Sequence, residues 1–382
     1  MTKPTIELAD VVRGFLGAYQ EQFGDLMLPS HRRALQDIAQ CMTEAMGGGR
    51  YHCHDCDETF WCYHGCRNRS CPKCHGRQIS EWLQSRSGEV LPCRYFHIIA
   101  TVPSELRNLF LRHQATLYGL LMKTAAESVR DLAAKKPFVG AEVGILAVLH
   151  TWTGQLHHHP HVHMLVTGGG VTADGTAWHA APKRFLVPVK KLSRMIAQRF
   201  AAALQKDHPE LFEQIPAKLW NQPWCSYSKP YGKGQHAVLN YLARYVFRVA
   251  LTNRRLMAMD ETHVTFQYKD HDTRQWRTVR LEGVQFLRRF LFHVLPKGFH
   301  KVRYYGLWHP CKRDRQARAR LLLELTTPAT PSPAILMANI VEKTLEQSAL
   351  ASDDHGVQCP KCGSMNVYRI DTLPRRNLMV VK

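Results

Sequence analysis

Cysteine spacing constrains this chain more than any other feature. Seven of its twelve cysteines fall between Cys41 and Cys74, in a stretch too short to bury them all as ordinary core. Within that stretch Cys53-x2-Cys56 and Cys71-x2-Cys74 form two knuckles with 14 residues between them. Paired thiolates at such spacing fold around a tetrahedral Zn²⁺ rather than through disulfides, which belong to small secreted chains. Cys53, Cys56, Cys71 and Cys74 are therefore the expected ligands of one structural zinc. Cys62, Cys66, His52, His54, His64 and His75 lie within reach, as substitutes or as holders of a second ion. Cys359-Pro360-Lys361-Cys362 repeats the knuckle as half a site, with His309, Cys311 or His355 as conceivable partners.

Charge points to the partner. Lys and Arg outnumber Asp and Glu by 51 to 31 over 382 residues, a net charge of +20. Such an excess costs self-repulsion, and it usually meets a polyanion. Residues 299–320 hold seven Lys or Arg against one Asp, which makes Lys312, Arg313 and Arg315 candidate phosphate contacts. Arg67 and Arg69 add two cations beside the cysteine knuckle. With 45% hydrophobic residues the chain is not disordered. No apolar run approaches the roughly 20 residues that span a bilayer, and the N-terminus lacks the layout of a signal peptide. A soluble intracellular protein is expected.

Periodicity places the elements. Residues 5–46 carry two helical patterns, residues 94–102 read as a strand, and 104–134 return to helical spacing. A second β run at 143–152 leads through a His-rich turn into 162–166. Residues 190–206 and 235–252 look like basic amphipathic helices, 264–268 and 276–281 like a hairpin, and 326–333 like a linker before a last helix. Short alternating strands favour an antiparallel sheet in an α+β fold. The expected organisation is a helical and zinc-binding domain at 1–90, a main domain at 91–325 and a C-terminal region at 326–382.

Two constellations carry chemistry. In a strand through 157–166, His161, His163 and Leu165 share one face while Val162, Met164 and Val166 share the other. Two imidazoles about 7 Å apart along the strand can grip one divalent ion in an open, catalytic manner; the bland alternative is a His-rich surface loop. On the helix through 235–252, Tyr241, Tyr245 and Arg248 fall on one stripe beside an apolar one, with Arg244, Arg254 and Arg255 nearby. Such tyrosines are often mere packing. A phenol becomes a useful nucleophile when the phosphate it attacks is polarised by a metal and clamped by arginines. Three functions compete: a metal-dependent DNA-nicking enzyme with a phosphotyrosine intermediate, a histidine-triad-type nucleotide hydrolase, and a non-enzymatic zinc-dependent nucleic-acid binder. The first uses the charge, the cysteines, the histidines and the tyrosines together. No GxxxxGK[ST] is present, so the chain is not expected to be its own helicase.

The stretches GCRNRSCPKCHGRQ, HHHPHVHMLVTGGG, YLARYVFRVALTNRRL and FLRRFLFHVLPKGFHKVRYYGLW together resemble the IS91-type transposases of the His-hydrophobe-His endonuclease superfamily. The resemblance runs over about residues 30–325 and implies a zinc-binding N-terminal domain and a nuclease domain on a ferredoxin-like antiparallel sheet. It implies that His161 and His163 bind a catalytic Mg²⁺ or Mn²⁺ and that Tyr241 and Tyr245 are paired nucleophiles. The third ligand is not fixed by spacing; Gln155 is the first choice and His159 the second. By the same resemblance the protein nicks single-stranded ends of a transposable element and joins them to target DNA in rolling-circle transposition. A host helicase is the expected partner, and the nucleoid of a bacterial cytoplasm the expected location.

Overall fold

The structure is a computed structural model that describes residues 6–74, 90–233, 238, 241, 245–246, 248–270, 272–325 and 357–376. The last expected helix, His75, His355 and Arg244 lie outside these residues. The chain begins with α1 (Leu8–Phe23), α2 (Pro29–Gln40), β1 (Gly48–Cys53) and β2 (Thr59–Tyr63), followed by β3 (Arg94–Thr101), α3 (Arg107–Arg112) and α4 (Gln114–Ala133). Next come β4 (Gly144–Trp152), β5 (His158–Thr167), β6 (Gly169–Val171), β7 (Trp178–Ala180), α5 (Val189–Asp207) and β8 (Cys225–Lys233). Strands β9 (Leu256–Met259), β10 (His263–Lys269) and β11 (Trp276–Glu282) lead to α6 (Gly283–Leu291), β12 (Val302–Gly306), α7 (Arg313–Glu324) and β13 (Val367–Leu373). No described helix is long and apolar enough to cross a membrane.

The α+β class and the antiparallel sheet stand. Five strands pair in the order β12-β4-β5-β3-β8, each antiparallel to its neighbour. Alternation gives the sheet two faces. Phe96, Ile98 and Ala100 on β3, Ile145, Ala147 and Leu149 on β4, and Val162, Met164 and Val166 on β5 pack against Leu121 and Met122 of α4 and Ile196 and Phe200 of α5. Residues that alternate with these point the other way, among them His97, His150, His161 and His163. Pro160 sits in the middle strand at a register shift between β4 and β5, beyond the last β3 pair, so its missing N–H breaks no continuous ladder.

A second core joins helices that precede residue 90 to elements that follow it. Helices α1 and α2 bury Leu8, Val12, Phe15, Leu35 and Ile38 against Phe266 of β10 and Phe286 and Phe290 of α6. The contact is close: a Cβ added at Gly283 would lie 2.1 Å from the ring of Phe15. Strand β13 pairs with β1, which pairs with β2, so the end of the chain completes a small sheet begun near its start.

Candidate active site

Register explains how the histidines meet. His161 lies opposite His150 on β4 and Thr101 on β3, and His163 lies opposite Val148 and Ile99. Side chains opposite one another share a face, so His150, His161 and His163 converge, each with one ring nitrogen within 4.8 Å of the other two. One nitrogen of each ring is hydrogen-bonded. His161 Nδ1 donates to the His159 carbonyl at 2.7 Å, and His150 Nε2 to the Tyr245 carbonyl at 2.7 Å. His163 Nδ1 meets His97 Nε2 at 2.9 Å, and His97 Nδ1 meets the Tyr227 hydroxyl at 3.1 Å. Hydrogen bonds of this kind fix ring orientation and aim the free nitrogen at an ion.

Burial sets the protonation. It holds the His161 ring down to about 3, and it keeps His150 and His163 well below their ordinary value, with the neighbouring imidazoles adding to the effect. All three rings are therefore neutral donors at neutral pH. The donor chemistry fits a divalent ion, and an all-imidazole set suits a transition metal better than Mg²⁺.

The tyrosines close over this face. Tyr245 is half-buried and lies tilted against His163 with ring centroids 4.3 Å apart, and it lies 4.8 Å from His97. Tyr241 is fully buried, 4.8 Å from Tyr245, and its hydroxyl has no hydrogen-bond partner among the described residues. Burial pushes its phenol well above 10, with the nearby Tyr245, Tyr231 and Tyr227 adding to the shift. Val238 and Tyr241 are helical, whereas Tyr245 and Val246 lie in a wider π turn, a local widening that recurs at functional sites.

Several expected residues are placed elsewhere. Gln155 donates its amide to the Tyr268 hydroxyl at 2.7 Å, and the third member of the histidine group is His150. His159 instead faces Arg107. Sequence reasoning passed over His150 and His97, although both stand in predicted strands on the face that carries His161. The four expected zinc ligands do not form one group. Cys71 and Cys74 join Cys41 and Cys66, with sulfurs 3.4–3.6 Å apart, while Cys53 and Cys56 face Cys359 and Cys362. Spacing along the chain missed this because Cys41 stands alone at the end of α2, and the second pair lies three hundred residues away.

The arginines divide as well. Arg69 donates to the carbonyls of Phe299, Leu295 and Pro296 at 2.6–2.7 Å, and Arg255 to those of Gln267, Ala250 and Gly154. Both guanidinium groups are engaged by backbone carbonyls. Lys312 and Arg315 pair with Glu142, and Arg315 also holds the carbonyls of Thr172 and Ala173. Arg67, Arg248, Arg254 and Arg313 are exposed. Arg67 lines an open cleft of about 840 Å³ together with Arg33, Lys297 and Arg375.

Known proteins resemble the chain over most of its length. Residues 144–316 match the family described as "Putative transposase", and residues 11–102 match the "Transposase zinc-binding domain". The chain is 36% identical over 348 residues to "Putative transposase y4qJ" of Sinorhizobium fredii, covering 86% of this chain and 87% of that one. It is 25% identical over 346 residues to the "Transposase for insertion sequence element IS801" of Pseudomonas savastanoi pv. phaseolicola, covering 86% and 80%. No solved structure matches the chain.

Proposed function

This chain belongs to the IS91-type transposases, and from that premise we propose that it nicks single-stranded ends of a transposable element and transfers them through 5′-phosphotyrosyl links in rolling-circle transposition. One observation carries the reading: a group of three neutral imidazoles with the Tyr245 ring set against one of them and Tyr241 one turn behind. The five-stranded antiparallel sheet with two helices on one face supports a ferredoxin-like nuclease domain. His150, His161 and His163 would hold the Mg²⁺ or Mn²⁺ ion, whose charge, when bound, draws electron density from a phosphate oxygen.

The residues of the chain do the rest. Tyr245 is the less buried phenol and the one against His163, so it acts first. Its hydroxyl gives up its proton as the oxygen bonds to phosphorus, the bond to the 3′ oxygen breaks, and that oxygen takes up a proton to leave a free 3′-OH. The phosphodiester energy is kept in the tyrosyl link, so strand transfer needs no ATP. Tyr241 then attacks a second phosphate while the first end stays attached. His97 holds His163 in place from behind, and Arg248, Arg254 and Arg67 supply positive charge for the DNA backbone. Unwinding falls to a host helicase, since the chain lacks a phosphate-binding loop of its own.

A single-turnover assay on labelled single-stranded ends tests this. Tyr245→Phe should form no covalent adduct, whereas Tyr241→Phe should still make the first cut and fail in transposition. A stable adduct in the double variant would place the nucleophile at Tyr227 or Tyr231 and overturn the assignment.

A further inference from the structure

The zinc-binding match stops at residue 102, yet Cys53 and Cys56 are completed by residues far beyond it. Cys53 Sγ lies 3.6 Å from Cys362 Sγ, and Cys56 Sγ lies 3.5 Å from Cys359 Sγ; all four sulfurs are within 4.8 Å of one another. A tetrahedron with Zn–S bonds of about 2.3 Å has edges of about 3.8 Å, so the spacing is that of a thiolate cage and far longer than a disulfide. Each half is built as a knuckle. Asp57 N–H returns to the Cys53 carbonyl and Gly363 N–H to the Cys359 carbonyl, at 3.0 and 2.9 Å.

The halves are also locked together away from the sulfurs. His54 N–H donates to the Asn366 carbonyl at 3.0 Å, Asn366 Nδ2 donates to Asp55 at 2.8 Å, and Lys361 pairs with Glu58 at 3.3 Å. Four thiols would not be brought to this distance by hydrogen bonding alone, because S–H is a weak donor.

We propose that Cys53, Cys56, Cys359 and Cys362 hold a second structural zinc, separate from the one at Cys41, Cys66, Cys71 and Cys74, and that it clasps β13 onto the edge of β1. Two closed four-thiolate sites then stabilise the small sheet and the α2 end independently. Without the clasp β1 loses its β13 partner and presents an open edge.

The test is metal content of the full chain in a His161→Ala/His163→Ala background, which removes the histidine group as a zinc holder. Two zinc ions per chain are expected. Cys359→Ser/Cys362→Ser should retain one, and Cys66→Ser/Cys71→Ser should retain one. Two ions remaining after the Cys359/Cys362 change, or a single ion in the background chain, would overturn the proposal. Alkylation of the unaltered cysteines covers the case in which a variant does not fold. Cys362 is exposed, so only a bound metal protects it; the exposed Cys311 serves as the reactive control. Stepwise chelation should release Cys53, Cys56, Cys359 and Cys362 to the reagent together. Separate release of the two pairs, or a peptide disulfide-linked through Cys53 and Cys362, would sink the clasp.

Discussion

Tyr241 and His293 show how single buried groups report on function and stability. A buried hydroxyl without a partner costs about 1–3 kcal/mol, and the Tyr241 hydroxyl has none among the described residues. Tyr241→Phe should therefore leave the thermal midpoint unchanged or raised while transposition is lost, since the ring and its packing remain. A lowered midpoint would mean that the hydroxyl is structural. His293 is buried between Thr151 and the Leu156 carbonyl, and burial holds its ring down to about 3. An unfolded chain takes up that proton near pH 6.5, so between about 6.5 and about 3 the unfolded state binds more protons than the folded one. Stability from this group is whole above about pH 6.5 and is lost as pH falls through that window. Melting curves from about pH 7 to about pH 5 should shift downward, and His293→Gln should flatten the shift.

Elements sort the cations that residue counting could not. Helix α7 lies along the β6–β7 hairpin, and its Arg315 and the preceding Lys312 are held by Glu142 and hairpin carbonyls. Replacing those two with Ala should lower the melting temperature, whereas Arg313→Ala should leave it unchanged and flatten the salt dependence of DNA binding by roughly 0.7 per contact. Equal salt slopes in all three variants would return the whole tract to a solvated surface. Arg69→Ala removes charged hydrogen bonds to three carbonyls and should cost about 1.5–3 kcal/mol in urea unfolding. Much of the element level was legible: alternation gave β3, β4 and the β10–β11 hairpin, and the His161/His163 face follows from strand period alone. Strand β12 was not, because Val302–Gly306 hides inside a basic run and its pairing with β4 is long-range. His150 was missed for the same reason, since only cross-strand register brings it opposite His161.

At the scale of the molecule, two kinds of candidate metal ligand occupy separate places. Thiolate groups sit in the small units at the ends of the chain, and imidazoles sit on the central sheet. Mild chelation should stop nicking without unfolding residues 41–74, because thiolate zinc is folding energy and exchanges slowly. Re-addition should restore activity at lower Mn²⁺ than Mg²⁺, given the three imidazole donors; retained nicking after chelation would refute the histidine site. Pairing of β13 with β1 also imposes a timetable. Cys41 and Cys74 are separated by 33 residues, Cys53 and Cys362 by 309. At about 5–20 residues per second a ribosome spans the first gap in roughly 2–7 s and the second in roughly 15–60 s. The first cysteine group can close soon after Cys74 is made, yet the small sheet waits until Cys362 has followed. Throughout that wait the edge of β1 lacks its β13 partner and offers a row of unpaired N–H and C=O groups with which a neighbouring nascent chain can pair.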